Sequence, residues 1–266
     1  MNLADPGLLK SFLARHGLSA RKGLGQHFLT SAKVVGAIVE ATGEVDGVLE
    51  IGPGPGILTG PLSEGRTMIA IELDDRMIPA LQESAPGVTI YQEDALKSDL
   101  GERLRELPAP RAVVSNLPYY ITGPLLGAIA DVSAEWSVAV LMMQREVGVR
   151  ILAQAGNRER GALSVRMQAE FEIRKVIDVP PGAFSPPPRV DSIVLSLRPT
   201  STRFSADMIR LVRAGFAQPR KTLSNNLHAA GFDRTAVERA GLEAGIRPHF
   251  LTLSDWERVA HFTETS

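Results

Sequence analysis

Apolar residues recur along this chain in two periods, one helical and one of short unbroken runs. Residues 6–16 suit a short helix, and Val34, Val35, Ile38, Val39 and Ala41 recur at helical spacing behind Thr30 or Ser31, either of which can cap. Between such stretches lie apolar runs at 48–51, 68–71, 88–91, 112–114 and 137–143, each bounded by turn residues and each read as a buried strand. Two further runs, 174–179 and 192–197, flank a segment whose five prolines make it stiff and non-helical. Residues 163–171 fit helix or strand by pattern and are assigned helix. Seven strands with intervening helices predict a mostly parallel, doubly wound α/β sheet with an antiparallel strand. After a linker at 199–203 the pattern is wholly helical, at 207–217, 220–230, 235–240 and 254–262, with Ser254 and Glu257 spaced as a capping box. The expected organisation is an arm at 1–30, a main domain at 31–198 and a small all-helical domain at 199–266.

Composition removes several kinds of chemistry. Without a cysteine there is no disulfide, thiol nucleophile or Cys-ligated zinc, and the five histidines show no metal-ligand spacing, so no metal is expected. No apolar run approaches the roughly 20 residues that span a bilayer, and the expected location is cytoplasmic, with no membrane partner. The net charge of −1 argues against a general polyanion binder. It hides an uneven distribution: residues 1–30 carry four basic groups against one acidic, residues 44–110 five against 13.

Candidate chemistry clusters where strands end. Glu50-Ile51-Gly52-Pro53-Gly54-Pro55-Gly56 is a strand running into a glycine-rich turn, and the next strand ends in Glu72, a carboxylate able to accept both hydroxyls of a ribose. A dinucleotide site would space its glycines Gly-x-Gly-x-x-Gly to seat a pyrophosphate. Gly-x-Gly-x-Gly with intervening prolines suits a ligand without phosphates, such as S-adenosylmethionine, better than NAD. Asp94, after the third strand and followed by Ala95, is either an acceptor for an adenine amino group or a turn-capping Asp. Asn116-Leu117-Pro118-Tyr119 follows the fourth strand. The amide of Asn116 both donates and accepts, Pro118 fixes the turn and Tyr119 offers a flat ring, so the tetrapeptide is either a site for a nucleic acid base or a turn beside a part-buried tyrosine. Phe184, held in the proline segment, is either an exposed stacking surface or a core residue. Residues 21–29, with two cations and two glycines, are a linker or a strap over a ligand.

These motifs, in this order, resemble the ribosomal RNA adenine dimethyltransferases. The resemblance rests on Gly25-Gln26-x-Phe28-Leu29, the glycine turn, Asn116-Leu117-Pro118-Tyr119, Gln144-Arg145-Glu146-Val147, Phe184-x-Pro186-x-Pro188-x-Val190-x-Ser192 and, in the tail, Phe216-x-Gln218-x-Arg220-Lys221-Thr222 with Asn226-Leu227. It implies a Rossmann-like, seven-stranded S-adenosylmethionine-dependent methyltransferase sheet with a helical C-terminal domain that contacts RNA. It also implies a monomer acting on two adjacent adenosines near the 3′ end of the 16S RNA of the small ribosomal subunit, during ribosome biogenesis. On the same basis His27, Leu29, Gly52, Gly54, Gly56, Glu72, Asp94, Ala95 and Asn116 would hold the cofactor. Asn116, Leu117 and Pro118 would orient the amino group, and Tyr119 and Phe184 would sandwich the base. His27 departs from the family's usual Asn, and Pro219 interrupts a usually more basic run. The alternatives are a large-subunit RNA methyltransferase of the macrolide-resistance type, a non-catalytic assembly or transcription factor on the same scaffold, and an NAD-dependent oxidoreductase.

Overall fold

The computed structural model describes residues 2–21, 23 and 25–263. Its helices and strands, in chain order, are α1 (Pro6–Arg15), β1 (Phe28–Leu29), α2 (Ala32–Thr42), β2 (Gly47–Ile51), α3 (Thr59–Leu62), β3 (Thr67–Glu72), α4 (Ile78–Ser84), β4 (Thr89–Gln92), α5 (Leu100–Arg105), β5 (Arg111–Asn116), α6 (Thr122–Asp131), β6 (Val138–Gln144), α7 (Arg145–Leu152), α8 (Ala162–Glu170), β7 (Phe171–Val179), β8 (Phe184–Ser185), β9 (Ser192–Pro199), α9 (Ala206–Gly215), α10 (Leu223–Ala229), α11 (Ala236–Arg239) and α12 (Leu253–His261). The chain forms two compact units, one of residues 1–148 and 173–199, the other of 149–172 and 200–266.

The first unit holds a seven-stranded sheet ordered β4-β3-β2-β5-β6-β9-β7, the number of strands that the apolar runs predict. Every residue of β2 is buried, the mark of a central strand covered on both faces. β2 pairs in parallel with β3 and with β5, β5 with β6 in parallel, and β6 with β9 antiparallel. Strand order therefore reverses beside β2: the chain leaves it toward β3 and β4, then returns on its other side as β5. At such a switch point the carboxyl ends of neighbouring strands open a crevice. The register sets Glu72, the turn after Ile51, and Asn116 side by side along that edge.

A second, two-stranded ladder was not foreseen from the pattern. β1 pairs antiparallel with β8, Phe28 opposite Ser185 and Leu29 opposite Phe184, and the Thr30 N–H donates to the Ala183 carbonyl at 2.7 Å. Two residues per strand carry no periodicity, so only the tertiary pairing defines this ladder. It ties the arm to the proline segment. Ser31, rather than Thr30, caps α2 through its hydroxyl.

In the second unit α8 is helical, as assigned, and its Val165 packs into a core with Leu211, Val212, Leu223, Leu227, Trp256 and Val259. Residues 149–172 thus group with the helices that follow 199, although sequence places them before the linker. The capping box of the last helix also differs. Thr252 accepts from the Asp255 N–H at 3.2 Å while Asp255 accepts from the Thr252 N–H at 2.8 Å. Because α12 begins at Leu253, Ser254 and Glu257 lie within the helix instead of bracketing its start.

Candidate active site

At the carboxyl edge of the sheet a cleft opens to solvent. It is lined by the arm (Gly25 to Leu29), the end of β2 and its turn (Glu50, Gly52, Pro53, Gly54), Glu72 with Leu73, and the run from Asn116 to Tyr120, with Ile57 and Leu58 beside them. The cleft thus collects four motifs that lie far apart in the chain.

Each wall has a local cause. Gly52 and Gly54 take φ of +71° and +57°, conformations that glycine adopts without steric cost, and so turn the backbone back over the strand end. Glu72, 6% exposed, accepts from the Gly54 N–H at 2.9 Å through Oε2 and from the Asp74 N–H at 2.7 Å through Oε1. Burial raises its pKa, and those two N–H groups partly offset the rise. Glu50 is fully enclosed in β2, its Oε2 has no hydrogen-bond partner, and burial together with the nearby Glu72 pushes its pKa up to about 8. An acid inside an otherwise apolar strand was the available signal for Glu50, to which the sequence argument gave no role.

The arm crosses this cleft as a strap. The Gln26 Nε2 donates to Asp74 Oδ2 at 2.9 Å, and Arg76 closes on the same carboxylate through Nε and Nη2 at 2.8 and 2.5 Å. The Arg76 guanidinium holds the Asp74 carboxyl below the usual carboxylate range. One residue on, the His27 carbonyl accepts from the Asn116 Nδ2 at 3.3 Å. Since a carbonyl can only accept, it is the NH₂ end of the amide that faces the strap, and the Asn116 carbonyl oxygen is left to face another donor. His27 Nδ1 lies 2.8 Å from the Pro186 carbonyl, which requires the proton on Nδ1, and the ring stacks on Tyr119 with centroids 5.8 Å apart. The link to Asn116 runs through the backbone of residue 27, so it does not call on the side chain at that position. Tyr119 is held at its other end, where its hydroxyl meets Ser192 Oγ at 2.7 Å.

His27, Leu29, Gly52, Gly54, Glu72, Asn116, Leu117, Pro118 and Tyr119 therefore line one cleft. Four candidates do not. Gly56, at φ +92°, has its Cα packed on α4, where an added Cβ would stand 2.1 Å from Ser84 Oγ; it is a close-approach glycine and no part of the wall. Asp94 and Ala95 lie outside the lining, and Asp94 caps its own turn, Oδ1 accepting from the Leu96 N–H at 3.0 Å. Phe184 is 4% exposed and packed in the core, so the exposed loop aromatic is not found: its pairing in β8 turns the side chain inward. Conversely Gln26, Asp74 and Tyr120 stand at this edge with no role drawn from the sequence: the folded arm brings Gln26 onto Asp74, and Tyr120 lies at the rim of the cleft beside Tyr119.

A family model described as ribosomal RNA adenine dimethylase matches residues 17–246. The chain belongs to the ribosomal RNA adenine dimethylase family. It is thereby an S-adenosylmethionine-dependent methyltransferase. Within that family it is 38% identical to the Ribosomal RNA small subunit methyltransferase A of Magnetococcus marinus, covering 96% of each chain, and 37% identical to that of Staphylococcus haemolyticus, covering 97% of this chain and 95% of the other. Among solved structures it is similar to a dimethyladenosine transferase from Plasmodium falciparum (TM-score 0.73, 26% identity, 88% of this chain and 96% of that one). It shares its fold with the 23S rRNA methyltransferase ErmE (TM-score 0.66, 24% identity, 90% of this chain and 100% of that one). Of the alternatives, an NAD-dependent oxidoreductase and a non-catalytic factor fall outside this family's description. Among the described residues no helix is long and apolar enough to cross a membrane, and no group of His, Asp and Glu could hold a metal ion.

Proposed function

We propose that this family member dimethylates the exocyclic amino groups of two adjacent adenosines near the 3′ end of 16S RNA in the small ribosomal subunit. The observation that carries the reading is the orientation of Asn116: its amide nitrogen donates to the His27 carbonyl, so its oxygen is an acceptor at the strand edge, beside Glu72 and the glycine turn. The relatives named as small-subunit methyltransferases support the target.

The cleft fits the cofactor. Glu72 presents a carboxylate to a ribose diol, Gly52 and Gly54 leave backbone uncovered by side chains, and Glu50 offers an unpartnered oxygen to a cationic amino-acid end. S-adenosylmethionine supplies an electrophilic methyl group carried on a sulfonium. The chain's task is the nucleophile. An adenine amino nitrogen is poor in that role because its lone pair is delocalised into the ring. Two acceptors on its N–H groups draw it toward tetrahedral geometry and localise the pair. Asn116 Oδ1 is one. The Pro118 carbonyl is engaged by the Ile121 N–H at 3.2 Å and by the Thr122 hydroxyl at 3.0 Å, which leaves the Leu117 carbonyl as the second. No strong general base is needed, since the proton becomes acidic only as the new bond forms. Positioning of this kind is worth about 7–11 kcal/mol in well-aligned systems. Tyr119, clamped between Ser192 and His27, is the fixed ring against which the base stacks. The reaction belongs in the cytoplasm, one copy of the chain acting on one subunit, with the helical unit contributing RNA contacts.

Methyl transfer to unmethylated small subunits, compared with free large-subunit RNA, tests the target. Mass spectrometry of the digested RNA should show dimethyladenosine from the small subunit. Accumulation of the monomethyl nucleoside alone, or preference for large-subunit RNA, would overturn the reading.

A further inference from the structure

We propose that Tyr120 is a stacking surface for the nucleobase next to the target adenine, and so a specificity-determining residue at the mouth of the cleft. The inference deepens the function proposed above and rests on it.

The aromatic side chains of the cleft differ in what is left free. Phe28 is buried, and Tyr119 has its hydroxyl on Ser192 and one face of its ring on His27. Tyr120 also lines the cleft, yet it is 55% exposed. Isolated exposed apolar groups are ordinary on protein surfaces, but this ring is supported. It lies over Gly25, where φ is +61° and an added Cβ would stand 3.7 and 3.9 Å from the ring's Cδ1 and Cε1. The backbone beneath it is set by the Pro118–Ile121 turn, closed by a 3.2 Å hydrogen bond from the Ile121 N–H to the Pro118 carbonyl. A tyrosine presents a flat face on only two side-chain torsions, so ordering it against a base costs little conformational entropy.

The reaction creates a need for such a face. To reach Asn116 an adenine must leave its stack, and extrusion strips a stacking partner from the neighbouring base as well. Residue 120 follows Tyr119 outward from Asn116 to the solvent-exposed rim of the cleft, next to where the target base would enter. Its ring can replace the partner that the neighbour has lost, without reading hydrogen-bonding edges, because every base has a π face. With two adjacent adenosines as targets, the neighbour is a purine in at least one of the two reactions, which offers the larger stacking area.

The test uses the full chain with small subunits, and with a target-containing RNA oligonucleotide carrying 2-aminopurine beside the target adenosine, a base whose fluorescence stacking quenches. Wild type should quench the probe on binding. Tyr120→Ala and Tyr120→Leu should lose the quench and raise KM for RNA by about 5- to 150-fold, with kcat and affinity for S-adenosylhomocysteine unchanged, whereas Tyr120→Phe behaves as wild type. Leucine keeps apolar bulk against Gly25 without a π face, so it separates stacking from packing. Unchanged KM and quench in both variants, rescue by leucine, or an equal loss of S-adenosylhomocysteine affinity overturns the proposal. A wild-type chain that methylates no small-subunit RNA refutes the function itself, and is recognised before any variant is compared.

Discussion

Asn116 and Glu72 sit on adjacent walls of one cleft, and their surroundings assign them separable tasks. Glu72 accepts from backbone N–H groups of two turns, where the proposed function puts the ribose, while the Asn116 amide is anchored through its nitrogen to the strap and is proposed to orient the target amino group. Asn116→Ala is expected to lower kcat by about 10²–10³-fold, the range seen when one oriented polar group is removed from a reaction centre, while sparing S-adenosylhomocysteine affinity more than Glu72→Ala does. Calorimetric titration of both variants decides it, and equal losses would contradict the division. Glu50 adds a pH dependence. Its folded pKa of about 8 lies above the 4.5 of an ordinary glutamate, so between those values the native state keeps a proton that the unfolded chain has released. That contribution to stability is fully present below the unfolded value and is lost as pH rises toward 8. Melting temperature should therefore fall less with pH across this window in Glu50→Gln than in wild type. A parallel fall in the two proteins would show that Glu50 does not titrate as its burial requires.

The element that assembles the site is the arm. Among the contacts that hold it are Gln26 on Asp74, the β1–β8 ladder, the His27 carbonyl under Asn116 and the His27 ring on the Pro186 carbonyl. Asp74 also donates its own N–H to Glu72, so the strap is latched to the residue beside which the ribose would lie. Removing the latch should loosen the strap around Gln26 without disturbing the sheet. Gln26→Ala is predicted to be cut by trypsin after Arg21 faster than wild type, and to lose kcat because the Asn116 amide is no longer held. Equal cleavage rates would mean that the remaining contacts secure the arm without the latch. The proline segment works as the strap's counterpart: it places Phe184 in the core and the Pro186 carbonyl against His27.

At the scale of the whole molecule the cleft belongs to one compact unit, and the helical unit has its own core centred on Trp256, which is fully buried. Gly215 lies so close to it that an added Cβ would stand 2.4 Å from the indole Cη2. Trp256→Ala should destabilise the helical unit by about 3–5 kcal/mol, the usual result of emptying a large aromatic site, while S-adenosylhomocysteine binding persists. Circular dichroism melts paired with cofactor titration check this, and loss of cofactor binding in step with helix loss would show the two units to be energetically inseparable.

Much of this molecule is legible without coordinates. Buried parallel strands are continuous apolar runs, so the seven-stranded sheet and the positions of Gly52, Gly54, Glu72 and Asn116 at strand ends follow from hydrophobic pattern and turn chemistry, which are local properties of the chain. Local pattern fails where a role depends on what lies opposite. Gly56 and Gly54 look alike in sequence, yet one meets α4 and the other the cleft. Phe184 is core and Tyr120 is surface because a two-residue ladder, too short to carry a period, faces one inward, while the turn before α6 leaves the other at the rim. The sequence by itself determined the fold, the family's motifs and the chemistry at the strand ends. Only the tertiary structure decided which of those groups share a cleft, which end of the Asn116 amide is free and which aromatic ring faces solvent, because each is set by contacts between residues far apart in the chain.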